Sequence, residues 1–242
     1  MRIGINSYTA NNNFELIDSL YQDGLIDMYE CSKHFYKKNR YHINKLQVPC
    51  ETFSSLIVGE YDLTNKFELF LFIEEFEETI KMAKDVGATK LMFGLAKYRT
   101  NLTSSHHELF DMLVEIAKNN KMTLLYEAIS PNLHKNDFIT NHDELIKFSI
   151  EHGINEIHVD FGTLRSNNEN FRDIAKKIKI SNIHFPYGEF SLDEVKDHDI
   201  SIENYSSEIL SAERLSDYLN YLKNLNETKK LDELRVGSSE SA

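Results

Sequence analysis

Met122-Thr123-Leu124-Leu125-Tyr126-Glu127 is a short apolar run that ends on a single carboxylate. A run of this length between polar stretches reads as a buried strand. The same shape recurs downstream: residues 154–159 end on Asp160, residues 178–183 on His184, and residues 199–202 on Glu203. A lone Glu at a strand end is ordinarily solvated, and a lone His is ordinarily a hydrogen-bonded core or loop residue. A buried carboxylate, however, is costly unless it is paired or bound to a cation. Four ligand-type side chains at one relative position on four apolar strands therefore point to a shared site.

Working outward, residues 2–7, 25–31, 46–51 and 89–94 complete a set of eight strands. Helical patterns alternate with them. They cover residues 14–22, 67–86 and 106–119, the last capped by Ser104 or Ser105 with Glu108 in a capping box. A helix capped by Thr140 or Asn141 runs to Glu151, and further helices cover 167–177, 190–196 and 207–225. Residues 33–44 read as loop and short helix. Gly24, Gly87 and Gly153 each stop a helix directly before a strand, as in parallel α/β proteins. A (β/α)8 barrel or a doubly wound open sheet would accept this order, and the strand count favours one barrel over residues 1–225. Residues 226–242 read as a charged, partly disordered tail. No G-x-G-x-x-G follows the first strand and no P-loop occurs, so nucleotide-binding fingerprints are missing.

Composition narrows the function. The chain has 242 residues, 41% of them hydrophobic, enough for one large core. Its net charge of −12 argues against nucleic acid and against an anionic membrane surface. No apolar run is long enough to cross a membrane. Met1-Arg2-Ile3-Gly4-Ile5 reads as a strand rather than a leader, and Cys31 and Cys50 give no disulfide framework. The expectation is a cytoplasmic protein with two reduced thiols and a small-molecule substrate, self-association being open.

In such a barrel the chemistry sits at the C-terminal strand ends, where Glu127, Asp160, His184 and Glu203 all fall. Three oxygen donors and one imidazole suit Mg²⁺, Mn²⁺ or Co²⁺, with Zn²⁺ also admissible. His158, two residues before Asp160, points to the same side and reads as a deeper interior residue rather than a ligand. His106 and His107 at a helix start read as solvated.

The ordered set Leu124-Leu125-Tyr126-Glu127, Ile157-His158-Val159-Asp160, Asn182-Ile183-His184 and Ile200-Ser201-Ile202-Glu203-Asn204 resembles the xylose isomerase-like TIM-barrel superfamily, in particular its sugar phosphate isomerase/epimerase group. Ile3-Gly4-Ile5-Asn6 and Met28-Tyr29-Glu30 fit as well. The resemblance implies one divalent metal ion held by Glu127, Asp160, His184 and Glu203. It also implies that Glu127 and Glu203 act as catalytic acid and base through a metal-stabilised enediolate. The outcome would be isomerisation or epimerisation of a small sugar, polyol or sugar phosphate. A dehydratase acting on a cyclic polyol would use the same site.

The chain departs from that pattern in two places. Family members often carry a His three residues after the strand-six Asp, where this chain has Thr163. After His184 comes Phe185-Pro186-Tyr187-Gly188 in place of a charged or polar segment. Arg165, Lys97, Arg99 and Tyr187 are the candidate substrate contacts, each equally readable as an ordinary surface residue. The departures keep open a catalytically silent barrel that binds or scaffolds. Endonuclease IV, in the same superfamily, would need more histidines and a less acidic chain.

Overall fold

Eight parallel strands run β1 (Ile3–Asn6), β2 (Met28–Ser32), β3 (Cys50–Ser54), β4 (Lys90–Phe93), β5 (Thr123–Tyr126), β6 (Glu156–Asp160), β7 (Lys179–Pro186) and β8 (Ile200–Glu203). Their spatial order is β5-β4-β3-β2-β1-β8-β7-β6, which bends into a nearly closed (β/α)8 barrel. The computed structural model describes residues 1–94, 104–132, 138–189, 191–204 and 209–239, and the side chains of these apart from 104–106 and 229–239. Among the described residues the hydrogen-bonded ladder is continuous except between β5 and β6. No described helix is long and apolar enough to cross a membrane.

The helices are α1 (Phe14–Gln22), α2 (Lys33–Asn39), α3 (Lys66–Asp85), α4 (Ser104–Asn119), α5 (His142–Glu151), α6 (Phe161–Ser166), α7 (Phe171–Ala175) and α8 (Ala212–Ser239). Several begin at side-chain caps: Asn13, Ser32, Asn65 and Asn141 each accept a first-turn N–H. Gly24, Gly87 and Gly153 all lie at positive φ, where a side chain would strain the helix-to-strand turn.

Some boundaries differ from the sequence reading, for local reasons. Leu25 and Ile26 bond back to the Leu20 carbonyl and close α1, so β2 begins at Met28. Pro49 has no N–H for a ladder, and β3 starts after it, at Cys50. Of the helix expected over 167–177 only α7 forms, and a short helix not expected there, α6, precedes it. Asp160 caps α6 directly after β6, Asn168 interrupts at a φ of 55°, and Asn170 caps α7. The helix expected over 190–196 is absent: residues 193–197 are turns, held by bonds such as His198 N–H to the Val195 carbonyl at 2.9 Å. Ser104 and Ser105 lie inside α4 rather than before it. The last helix starts at Ala212 and continues through the charged stretch to Ser239.

Packing aims the strand ends. Tyr126 is fully buried on the outer face of β5, edge-on to Phe110 of α4 at 5.1 Å and to Phe148 of α5 at 5.2 Å. The pleat sends the next side chain, Glu127, to the opposite face. Isoleucines at 3, 5, 157, 183, 200 and 202 are almost completely buried. The mouth therefore sits on a rigid, close-packed base.

Candidate metal centre

Asp160 and Glu203 end β6 and β8, and His184 lies two residues before the end of β7 between them. A register shift makes them meet: Ile157 pairs with Ile180, but His158 pairs with Asn182 and Asp160 with His184. Ser181 is the extra residue of this bulge. Without it, Asp160 would face Ile183. Across the next ladder His184 pairs with Ser201 and Pro186 with Glu203. As a result, ligand atoms of Asp160, His184 and Glu203 all lie within 4.8 Å of one another. Asp160 is further oriented by the Thr163 N–H, which donates to its Oδ1 at 2.6 Å.

His184 is 2% exposed and held from both sides. Its Nε2 lies 2.9 Å from Glu30 Oε2. Its Nδ1, on the other flank of the ring, lies 2.8 Å from Glu203 Oε2. Burial opposes a charge on His184, but the carboxylates of Glu203 and Glu30 hold its pKa well above the ordinary imidazole value. Cation binding would therefore have to displace a proton from this ring. Two donors that share a cation at about 2.1 Å each sit roughly 3 Å apart. The spacing of Nδ1 and Oε2 fits that arrangement, and so does a second nitrogen turned toward a carboxylate.

Glu127 belongs to a second group. With His158 and His184 it presents ligand atoms within 4.8 Å of one another, so the two groups share His184. Gly94, after β4, makes room for it: a Cβ there would lie 2.1 Å from Glu127 Oε2. His158 is completely buried, with its ring 4.2 Å from that of His184 and its Nε2 4.0 Å from Glu127 Oε1. Burial, then His184 and His142, push its pKa well below the ordinary value, so it is neutral.

The remaining candidates are placed as follows. Lys97 and Arg99 lie outside the described residues. Arg165 pairs with Glu189 and lies over the Phe161 ring, its side chain half exposed. Tyr187 packs edge-on against Tyr218 at 4.8 Å. Phe185 is buried. Thr163, also buried, accepts the Ser130 N–H at 3.2 Å and so ties the segment after β5 to α6. His107 contacts His152 at 3.2 Å, away from the mouth.

Sequence reasoning assigned no role to Glu30, Asn6, Asn182 or Gly94. The signal for Glu30 was present, since Met28-Tyr29-Glu30 also ends an apolar run on a carboxylate.

No family model matches the chain, and no curated protein matches it in sequence. Solved structures do. An L-ribulose 3-epimerase superposes with a TM-score of 0.73 at 17% identity, covering 98% of both chains. The IOLI protein with a binding zinc atom gives 0.69 at 14%, over 93% of this chain and 96% of that one. A xylose isomerase domain protein from Alicyclobacillus acidocaldarius subsp. acidocaldarius gives 0.71 at 11%, over 95% and 99%. At these identities the likeness carries the fold alone, a (β/α)8 barrel with the same order of elements.

Proposed function

We propose that the chain is a divalent-metal-dependent isomerase or epimerase of a small sugar, polyol or sugar phosphate. One observation carries the reading: the ligand atoms of Asp160, His184 and Glu203 lie within 4.8 Å of one another at the C-terminal end of the barrel, with the buried His184 Nδ1 2.8 Å from Glu203 Oε2. Glu127, next after β5 and grouped with the shared His184, would supply the third carboxylate. Three carboxylates and one imidazole suit Mn²⁺, Mg²⁺ or Co²⁺, and also Zn²⁺. The sugar epimerase among the structural neighbours, and the neighbour with zinc, support the same reading.

A bound cation would supply Lewis-acid polarisation of a substrate carbonyl, which acidifies the adjacent C–H. The protein's own residues then handle the protons. Glu127 and Glu203 come from strands separated by β6 and β7, so a sugar in the mouth would meet one carboxylate on each side. One carboxylate takes the carbon-bound proton and the other returns a proton. Return to the same carbon from the opposite face is epimerisation, and return to the neighbouring carbon is isomerisation. Glu30, through His184, holds the imidazole in place throughout.

The test is metal analysis of the purified protein, followed by incubation with a panel of ketoses, aldoses and their phosphates in D₂O. The expected result is about one divalent ion per chain and loss of a substrate C–H signal by NMR, absent in Glu127→Gln and Glu203→Gln. No binding at millimolar Mn²⁺ or Mg²⁺, or full turnover in either variant, would overturn the proposal. The alternative is a silent sugar-binding barrel. It is favoured by the buried, structurally engaged Thr163 and Phe185, which stand where substrate contacts were expected. Sugar binding with no exchange would select it.

A further inference from the structure

We infer that Glu30 is a positioning residue that sets the tautomers of both histidines inside the barrel: it turns the bare Nδ1 of His184 toward the metal centre and the Nε2–H of His158 toward Glu127. The His184 half rests on the metal-dependent reading above, while the His158 half does not.

One chain of hydrogen bonds leaves each group along it a single orientation. The Tyr8 N–H donates to Asn6 Oδ1 at 2.9 Å, which fixes the orientation of that amide. Asn6 Nδ2 must then face Glu30, and it donates to Oε1 at 2.7 Å. A carboxylate only accepts, so both groups at the other oxygen must be donors. His184 Nε2, at 2.9 Å, therefore carries a hydrogen. A cation at the site would take the place of the Nδ1 proton, which leaves the ring's hydrogen on Nε2 and the bare Nδ1 facing Glu203 and Asp160. Asn182 must likewise turn its NH₂ to Glu30 Oε2, at 3.3 Å. The second hydrogen of that NH₂ faces His158 Nδ1, also at 3.3 Å, which must accept it. The neutral His158 ring then has its hydrogen on Nε2. That atom is fully buried, has no hydrogen-bond partner among the described residues, and sits 4.0 Å from Glu127 Oε1. A shift of roughly 1 Å in the carboxylate would bring it into hydrogen-bond range.

One acidic residue on β2 thus decides which nitrogen of two histidines, on β6 and β7, faces the mouth. With an apolar residue at position 30, the Asn182 amide would be free to turn over, and both rings could take the other tautomer. His158 itself then acts as a donor that steadies Glu127, with no part in coordination.

Two measurements test this. The first is a long-range ¹H–¹⁵N spectrum of histidine-labelled wild-type protein, metal-free and zinc-loaded. The expected result is Nε2–H for His158 in both, and Nε2–H with a zinc-shifted Nδ1 for His184 in the loaded protein. A His158 protonated on Nδ1, or a His184 that binds zinc through Nε2, would overturn the proposal. The second is zinc affinity by competition with a chelator. Glu30→Gln should weaken it about 10–100-fold with the circular dichroism spectrum unchanged, as loss of a carboxylate behind a ligating histidine does. Unchanged affinity would overturn the role of Glu30. Should Glu30→Gln not fold, the wild-type spectra decide. If the wild-type protein takes up no zinc, manganese or magnesium, the functional reading and the His184 half fall together. The metal-free spectrum still decides the His158 half.

Discussion

The mouth of the barrel has two unlike arcs. Along β2, β1, β8 and β7 the strands are laddered without a break, and the polar side chains lock one another: Asn6 to Glu30, Glu30 to His184 and Asn182, His184 against Glu203. Between β5 and β6 no ladder forms among the described residues, and Glu127 and Asp160 stand on either side of that seam. There the segments are joined instead by side chains, with the Ser130 N–H bonded to Thr163 Oγ1 and the Ser130 and Ser166 hydroxyls 2.9 Å apart. The laddered arc has the rigidity that fixed ligand distances require. The seam leaves Glu127 more room to adjust than a ladder would. On the proposed reading, the laddered arc would give a cation its firmest hold through His184 and Glu203, and Glu127 would be the freer of the two proton-transfer carboxylates.

The largest effect should come from the two glutamates. Glu127→Gln and Glu203→Gln are each expected to lower turnover by about 10²–10⁴-fold, measured as deuterium wash-in to the substrate. If the arcs divide the work, Glu203→Gln should also lose more metal affinity than Glu127→Gln. Equal losses on calorimetric titration with Mn²⁺ would break the division. Next in size is Gly94→Ala. A Cβ there would lie 2.1 Å from Glu127 Oε2, so the carboxylate must move. Misplacement of about 1 Å can cost on the order of 10²-fold in turnover. The thermal midpoint should hardly change, and wild-type turnover in this variant would show that Glu127 is not the proton-transfer group.

A smaller effect is expected at the clasp across the seam. Thr163→Val keeps the shape but removes the acceptor of the Ser130 N–H, a residue that is fully buried. Leaving that N–H unsatisfied costs about 1–3 kcal/mol, readable by urea denaturation. A neutral result would mean that the seam is held elsewhere.

The smallest effect is a pH slope of the metal-free protein. His184 is raised in the folded state, so its contribution to stability is full below the ordinary value of 6.5 and is lost as pH rises through the folded value. His158 is lowered, so its contribution is full above 6.5 and is lost as pH falls through the folded value. These two residues therefore place a stability maximum near 6.5. Saturating metal should flatten the alkaline side, since the loaded His184 no longer carries the extra proton. Denaturation midpoints at a series of pH values, with and without Mn²⁺, would show whether the slope follows the laddered arc.

Much of this was legible in the chain. Alternating short apolar runs and amphipathic helices, with glycine at three helix stops, specify a parallel α/β barrel because period and turn chemistry are local properties. The placement of Glu127, Asp160 and Glu203 at or directly after strand ends is local too, whereas β7 runs two residues past His184 to Pro186. Local rules also misled: the helix expected over 167–177 ignored Asn170 as a cap and the break at Asn168, and the one expected over 190–196 is a run of turns over 193–197.

The sequence by itself therefore determined the barrel and the order in which ligand-type residues reach its rim. Tertiary structure alone decided how they meet. The Ser181 bulge brings Asp160 level with His184, and no residue pattern in β6 or β7 announces it. Glu30 and His184 are 154 positions apart, as Asn182 and Glu30 are 152, and their contacts exist only once β1 and β8 have closed the sheet between them. Which nitrogen of a histidine faces a cation is set by what lies behind the ring. In this protein that is a carboxylate from the far half of the chain.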